Sequence, residues 1–403
     1  MNLRNAAIIF VFSFLALALF LDRPSRLIFD EQFYVPAARS IHETGKDPNF
    51  QHPPVAKELV AVSMAAVGDT SWGWRLASVV MGAATLVAVY YLVLLFASPL
   101  SAWVAVLLVF TNGLFFTLSR LALLEIFTFG LSFIAFTFFM YRIYGKKISA
   151  IQALMIPGAL FGLALAAKWS ALVPIVLCVG GGVWLRRFSL SQWGFFALCV
   201  VLYYFAPFLL LKSDMSVWSQ HQAMWAFHYP EVYQSDIMER TSQWWEWTFD
   251  THPMWLAVLP NEAHESGKFL GVMIFGNPFV IWTGWLGVAA CVFVAAKNRF
   301  KLNSVNAWLP AMAVAPWLVW AIAARPVTYY YYFLPTSVFL ALALVAGVDV
   351  FVKRGVLTNK KAQSFLVLWA GLSLIYFLYH WPLMTGQEFS ADQFQKWYPY
   401  LGF

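Results

Sequence analysis

Residues 76–95 read LASVVMGAATLVAVYYLVLL, an apolar stretch without a charged side chain. A helix needs ~20 residues to cross a hydrocarbon core of ~30 Å, so this stretch is long enough to span a membrane. The whole chain of 403 residues has the same character, because 61% of it is hydrophobic and only 11% is charged. Ordinary soluble domains are about 25% charged. The sequence therefore predicts a protein whose solvent is lipid.

Similar apolar runs predict an all-α bundle of about eleven transmembrane helices, forming one domain over residues 1–403. The first run follows Arg4 and resembles a secretory signal. No small-residue cleavage site precedes Asp22, so we interpret this run as an uncleaved helix. The runs lie at about 5–21, 72–96, 98–117, 121–141, 150–167, 170–185, 192–211, 273–295, 305–323, 328–350 and 363–382.

Basic residues gather on one side of the predicted membrane. The short connections at 142–149, 186–191, 296–304 and 351–362 contain Lys and Arg but neither Asp nor Glu. The positive-inside rule places them in the cytoplasm, with the N-terminus, and places the C-terminus outside. The outer loops have no Asn-x-Ser/Thr sequon, which is compatible with a prokaryotic inner membrane. Because the basic residues form short groups and not one stripe, nucleic-acid binding is not predicted.

Two long connections, 22–71 and 212–272, fall on the outer side. Pro36 and Pro54 suit the first turn of a helix, which predicts interfacial helices near 36–44 and 54–66. The second connection is rich in tryptophan, as expected for a segment in the headgroup layer.

Metal and disulfide chemistry are not predicted. The three cysteines fall inside apolar runs, so neither a disulfide framework nor a zinc site follows. His221 and His228 stand seven residues apart without a third ligand nearby.

The predicted chemistry belongs to the outer ends of the helices. The middle of each run holds almost no ionisable side chain, which argues against a proton-coupled transporter. Cytoplasmic connections this short cannot form a nucleotide-binding domain. An enzyme built this way would take its activated group from a lipid-linked phosphate donor, using Lys or Arg for the phosphate and a carboxylate as base.

Two motifs resemble the first outer loop of protein O-mannosyltransferases, a family of GT-C glycosyltransferases that use polyprenyl-phosphate sugars. They are FDEQFYVPAAR at 29–39 and HPPVAK at 52–57. The chain departs from the family in two ways: 212–272 has no room for the MIR domain of eukaryotic members, and Glu125 stands where Asp is usual. Weaker similarities lie at 119–125, 167–170, 242–247, 276–278 and 329–335.

The resemblance implies catalytic roles for Asp30, Glu31 and Glu125. Asp30 would accept the proton of an acceptor hydroxyl, whereas a lone acidic pair after a helix is usually solvated. Glu31 would orient the acceptor or neighbouring cations. Glu125 and Arg120 would organise the sugar or acceptor, with a structural ion pair as the competing interpretation.

The resemblance also implies donor phosphate binding by Lys57, Lys168 and Arg325. Lys57 can equally be a snorkelling interfacial lysine, and Lys168 and Arg325 can equally be topological anchors. We assign substrate positioning to His52, Arg39, Tyr34 and Trp245, although Tyr329–Tyr332 and the tryptophans more often form an interface belt.

The preferred hypothesis is transfer of a hexose, by the resemblance mannose, from a polyprenyl-phosphate carrier to a hydroxyl, in the first place that of protein Ser or Thr. The alternatives are a lipid-modifying enzyme of the aminoarabinose transferase type and a transporter or flippase. No cofactor besides this donor substrate is expected. The expected partners are the bilayer, the lipid-linked sugar and a protein or lipid acceptor, and the sequence leaves the oligomeric state open.

Overall fold

The computed structural model describes residues 3–145, 150–228, 241–249, 253–260, 268–299, 302, 304–323 and 327–399. The first helices are α1 (Leu3–Ala18), α2 (Glu31–Thr44), α3 (Val55–Val67), α4 (Ser71–Leu94), α5 (Pro99–Phe110), α6 (Gly113–Leu118), α7 (Leu124–Tyr144) and α8 (Ala150–Leu165). The later helices are α9 (Leu172–Trp184), α10 (Leu190–Leu210), α11 (Val217–His228), α12 (Pro278–Lys297), α13 (Leu309–Ile322), α14 (Leu334–Lys353), α15 (Asn359–Met384) and α16 (Ala391–Trp397).

Within these residues, seven helical segments are long and apolar enough to cross a membrane. Helices α7 and α14 run through the middle of the bundle, because most of their residues are buried, whereas α10 and α15 lie at its periphery. Shorter apolar helices at Leu3–Ala18, Pro99–Phe110, Leu154–Leu165 and Trp169–Trp184 fall on the other predicted runs. The helical membrane fold is confirmed, while the count of eleven spans stays a prediction.

The predicted run 98–117 is two helices and not one. Helix α5 ends at Phe110, and Asn112 caps the start of α6 by accepting a hydrogen bond from the Leu114 N–H at 3.2 Å. The break leaves the Thr111 carbonyl without a partner in its own helix, and Asn277 donates to it at 3.0 Å from 166 residues away. A polar node of this kind explains how a helix can be interrupted inside the membrane.

The outer connections contain both predicted interfacial helices. Helix α3 begins at Val55, as Pro54 predicts, but α2 begins at Glu31 and carries Pro36 in its interior. The prediction of a start at Pro36 was wrong because Glu31 is anchored by tertiary contacts that fix the earlier turn.

A small antiparallel sheet was not predicted. Its strands are β1 (Met254–Pro260), β2 (Lys268–Ile274) and β3 (Glu388–Ser390), in the order β1-β2-β3. Val258 pairs with Gly271, and Phe269 pairs with Phe389. The sheet therefore joins the second long connection to the segment after α15.

The bundle has two chemically different ends. At one end the starts of α2, α4 and α7 meet through Glu31, Arg75 and Ala122. We call this end the loop face, since the described parts of both long connections lie there. At the other end Lys353 donates to the Phe96 carbonyl at 3.0 Å.

Candidate active site

Glu31 and Arg75 form an ion pair that is fully buried. The Arg75 guanidinium meets the carboxylate with two parallel hydrogen bonds of 2.8 and 2.7 Å, and it also donates to the carbonyls of Leu21 and Pro24. The Ala122 N–H donates to the same carboxylate at 3.0 Å. Glu31 therefore orients a neighbouring cation and fixes the start of α2, with its own carboxylate fully buried.

Asp30 precedes this anchor directly and is half-buried. The Tyr34 hydroxyl donates to Asp30 Oδ2 over 3.4 Å, one turn along α2. Burial raises the pKa of Tyr34 well above its usual range, and the carboxylates of Asp30 and then Glu125 raise it further. Tyr34 thus remains a proton donor toward Asp30.

Lys168 and Glu125 form a second ion pair, with Nζ 2.5 Å from Oε1. Lys168 lies in an extended break between α8 and α9, and Glu125 lies in the first turn of α7. The Lys168 ammonium also lies 4.8 Å from the centre of the Tyr332 ring and 5.5 Å from that of Tyr331. Tyr331 and Tyr332 are buried, so the interface-belt interpretation was wrong for them.

An apolar groove of about 660 Å³ runs between α9 and α13 and ends at these polar groups. The polar end consists of His52, Lys168 and His228, whose side chains line the same cavity. The rest of the lining is largely apolar and includes Trp169 and Trp320 besides aliphatic residues. Val176, Leu318 and Ile322 expose a large part of their surface at the outside of the bundle. Such a groove suits a lipid chain with a charged or polar head at Lys168.

His52 lies between the groove and the pair formed by Asp30 and Tyr34, which we call the Asp30 cluster. Its ring centre lies 6.0 Å from that of Tyr34 and 4.9 Å from that of His228. The backbone beyond it is held in place, because the Val55 N–H donates to the Ala166 carbonyl at 3.0 Å. The two motifs that carried the sequence resemblance are therefore brought together.

Lys57 does not face this groove. Its side chain is fully buried, with Nζ 2.5 Å from Asp47 Oδ2, and it donates to the His52 carbonyl at 2.9 Å and to the Asn49 carbonyl. Burial lowers the pKa of Lys57 although Asp47 opposes this shift, and burial raises the pKa of Asp47 against the effect of Lys57. Lys57 holds the loop 47–52 and so acts on His52 through the backbone.

Other predicted site residues lie elsewhere. Arg120 donates to the carbonyls of Leu17 and Phe20, which end α1, and it forms no ion pair with Glu125 in the described residues. Arg39 pairs with Asp69 at 2.5 Å on the surface. Trp245 is half-exposed against Trp244. Arg325 lies outside the described residues, two positions beyond Ala323, which lines the groove.

Comparisons with known sequences cover nearly all of this architecture. Residues 51–211 match the family described as dolichyl-phosphate-mannose-protein mannosyltransferase. Residues 215–399 match the C-terminal four-transmembrane region of protein O-mannosyltransferase. The chain belongs to the protein O-mannosyltransferase family.

Relatives of this protein O-mannosyltransferase family member are similar over most of their length. A polyprenol-phosphate-mannose–protein mannosyltransferase of Mycobacterium tuberculosis is 23% identical, with 92% of this chain and 86% of the relative covered. A counterpart in Mycolicibacterium smegmatis is also 23% identical, over 92% of this chain and 87% of the relative. The predicted enzyme class, a polyprenyl-phosphate-sugar-dependent glycosyltransferase, is confirmed.

Solved structures share the fold. The Saccharomyces cerevisiae Pmt1-Pmt2 complex bound to the sugar donor superposes with a TM-score of 0.73 at 12% identity, covering 99% of this chain and 92% of that chain. ArnT from Cupriavidus metallidurans bound to undecaprenyl phosphate gives 0.58 at 15% identity, over 94% of this chain and 71% of that one. The predicted GT-C-type bundle is confirmed.

Sequence reasoning missed Asp47 as the partner of Lys57, and Tyr331 and Tyr332 as the rings beside Lys168. The tyrosines belong to an aromatic run that also fits a membrane interface, so composition alone did not separate the two locations. Asp47 lies ten positions before Lys57, and a loop that folds back on its own helix leaves no periodic signal.

Proposed function

We propose that this protein transfers mannose from a polyprenyl phosphate to a hydroxyl group of a protein acceptor. The observation that carries the proposal is the apolar groove between α9 and α13, which ends at Lys168. Lys168 is paired with Glu125, and His52, which lines the same groove, lies 6.0 Å from the ring of Tyr34, which donates to Asp30. A lipid tail, a phosphate contact and a base thus follow one another in space.

The reaction proposed is a single displacement with inversion at the anomeric carbon. The acceptor O–H loses its proton to Asp30 as its oxygen forms the new bond to the sugar. The bond between the anomeric carbon and the phosphate oxygen breaks, and polyprenyl phosphate leaves with the electron pair. Positive charge placed where the phosphate charge develops lowers the barrier, since electrostatic stabilisation is usually the largest catalytic contribution.

The chain's own residues have distinct parts in this reaction. The Tyr34 hydroxyl donates to Oδ2 of Asp30 and holds this carboxylate in position for the acceptor. Lys168 contacts the donor phosphate, and Glu125 holds the Lys168 ammonium in position. Arg325 remains a second proposed phosphate ligand. Glu31 positions Asp30 through its ion pair with Arg75. Lys57 positions His52 through the loop 47–52.

The proposed location is the outer face of a prokaryotic inner membrane, with the N-terminus in the cytoplasm. The basic connections support this orientation through the positive-inside rule. The donor is the only non-protein group in the proposed reaction, and the described residues contain no cluster of His, Cys, Asp and Glu that could hold a metal.

The test uses the purified protein in lipid vesicles with polyprenyl-phosphate mannose labelled in the sugar. A peptide with one Ser or Thr is the acceptor, and the same peptide with Ala is its control. We expect label in the hydroxyl peptide and an equal amount of released polyprenyl phosphate. Label that enters a lipid acceptor instead would indicate a lipid-modifying enzyme, and no transfer to any acceptor would refute the proposal.

A further inference from the structure

A second cavity of about 580 Å³ lies on the loop face, on the far side of His52 from the lipid groove. We call it the loop-face pocket and define it by Thr44, Lys46, Asp47, Lys212, Asp214 and Gln220, which line it. The mechanism given above does not use it.

The two walls of the loop-face pocket are joined to each other. Lys46 Nζ lies 2.9 Å from Asp214 Oδ2, and the Lys212 N–H donates to the Gly45 carbonyl at 2.8 Å. Gly45 ends α2 with a φ of +77°, a conformation that costs glycine little. The end of α2 and the connection from α10 to α11 therefore form one built cleft and not two separate loops.

The pocket is also connected to the reacting groups. His52 lines both the loop-face pocket and the lipid groove, and its ring lies 6.0 Å from that of Tyr34. Asp47 forms part of the pocket wall and is fixed by the buried Lys57. A molecule in the pocket would thus reach the Asp30 cluster beside His52, on the side that the donor chain leaves open.

The lining indicates what kind of molecule fits. It presents charges of both signs, hydroxyl groups of Ser40 and Thr44, and the amide of Gln220, together with apolar surface from Phe208 and Met224. Peptide groups need hydrogen-bond donors and acceptors along their length, and small apolar side chains need nonpolar contact. The acyl chains of a lipid acceptor would instead need a continuous apolar lining, which the groove between α9 and α13 has and this pocket lacks.

We propose that the loop-face pocket binds an extended segment of the polypeptide acceptor and presents one of its hydroxyl residues to Asp30 beside His52. This inference rests on the proposed mannosyl transfer and adds the site at which the acceptor is held. It assigns selection of a protein over a lipid acceptor to the end of α2 and the α10–α11 connection.

The test fills the pocket without changing the reacting groups. Ser213 and Thr44 line it and are exposed, so Ser213→Trp and Thr44→Trp each place an indole in the cavity. Ser25→Trp is the matched control, because Ser25 is exposed in the first connection and does not line the pocket. We measure KM for a ten-residue peptide, KM for the lipid donor, and transfer to a doubly blocked serine too short to extend into the pocket.

We expect both pocket variants to raise the peptide KM by about tenfold or more, while transfer to blocked serine and the donor KM change by less than about twofold. An unchanged peptide KM in both variants would overturn the inference. Equal losses with peptide and blocked serine would also overturn it, since the effect would then lie in the reacting groups. Wild-type transfer to a lipid but not to peptide overturns the acceptor assignment alone, whereas no mannose transfer at all refutes the proposed function.

Discussion

Lys57 and Lys168 carry the same charge in different surroundings. Lys57 is fully buried and paired with Asp47, whereas Lys168 keeps some exposure beside Glu125 and lines the lipid groove. Removing one partner of a buried ion pair leaves an uncompensated charge, which typically costs ~3–5 kcal/mol. Lys168 lines the lipid groove and can contact a bound phosphate there.

The two lysines therefore predict different main effects for the same substitution. Lys168→Met should weaken donor binding by about tenfold or more, as expected for loss of a charge-assisted contact worth ~1.5–3 kcal/mol. Lys57→Met should lower the free energy of unfolding by about 3 kcal/mol because it leaves the Asp47 carboxylate without its ion-pair partner. Donor titration and thermal unfolding of both purified variants distinguish these effects. A larger loss of donor affinity in Lys57→Met than in Lys168→Met would reverse the assignment.

The sequence motifs selected residues of the candidate site more successfully than they predicted the contacts of those residues. His52 and Lys168 were selected from the chain and line one groove, and Asp30 accepts from Tyr34, whose ring lies 6.0 Å from that of His52. Arg120 was also selected, but its guanidinium binds the carbonyls at the end of α1, about 100 positions upstream in the chain. A motif records the residue type, whereas the partner of a long side chain depends on which helices pack together.

Helix α3 contains Glu58, a carboxylate whose charged form is disfavoured by burial. Burial raises the pKa of Glu58 from 4.5 to about 7, with a further rise from Asp47 and a smaller opposing effect of Lys57. The folded state therefore binds a proton more tightly than the unfolded chain in this range. Stability from this group is present below pH 4.5 and is lost as pH rises toward 7.

Glu58→Gln should remove this part of the pH dependence. We expect the wild type to lose melting temperature between pH 5 and pH 7 relative to the variant, and the variant to be the more stable protein at pH 8. Thermal unfolding across this range measures the difference, with Glu43→Gln on exposed α2 surface as control. A constant difference between wild type and Glu58→Gln at every pH would contradict the explanation.

Helices α12 and α14 approach closely through glycine. A Cβ added at Gly287 would lie 2.2 Å from the Ala343 carbonyl oxygen, whereas one added at Gly180 in α9 meets nothing within 4 Å. Small residues allow membrane helices to pack at short distance. The contact is made by backbone atoms, so a side chain there must separate the helices.

Gly287→Ala should lower the free energy of unfolding by about 1–3 kcal/mol through overpacking. Gly180→Ala should be neutral or slightly stabilising, because alanine favours a helix over glycine by ~0.5–1 kcal/mol. Melting temperatures in detergent compare the two. A loss at Gly180 equal to that at Gly287 would show that helix propensity, and not the α12–α14 contact, is responsible.

Helices were predictable where an apolar run had the length of a membrane span. The apolar runs at 72–96, 121–141 and 192–211 correspond closely to α4, α7 and α10. The break at Thr111 and the strand β3 were not predictable, since the first depends on Asn277 and the second on pairing with β2. Both are set by partners more than 100 positions away.

The proposed reacting groups lie at the loop face, and the described parts of the basic connections lie at the other end of the bundle. This asymmetry predicts that the loop face is outside the cell. Cys178, Cys199 and Cys291 are buried. Maleimide labelling of an introduced surface cysteine therefore has little background from the native thiols.

Asp392→Cys in α16 should react with a membrane-impermeant maleimide in intact cells. Arg187→Cys, in the connection between α9 and α10, should react only after permeabilisation. Both positions are exposed, which makes them a matched pair. The opposite labelling pattern would place the site on the cytoplasmic face.

The central claim is that Asp30 is the base at the end of a lipid groove. The most direct measurement is single-turnover mannose transfer by Asp30→Asn, with donor binding measured on the same preparation and Asp392→Asn as the control. We predict a rate lower by about 10²–10⁴-fold with donor affinity and melting temperature unchanged, as expected for loss of a general base. Transfer by Asp30→Asn at the wild-type rate would contradict the account.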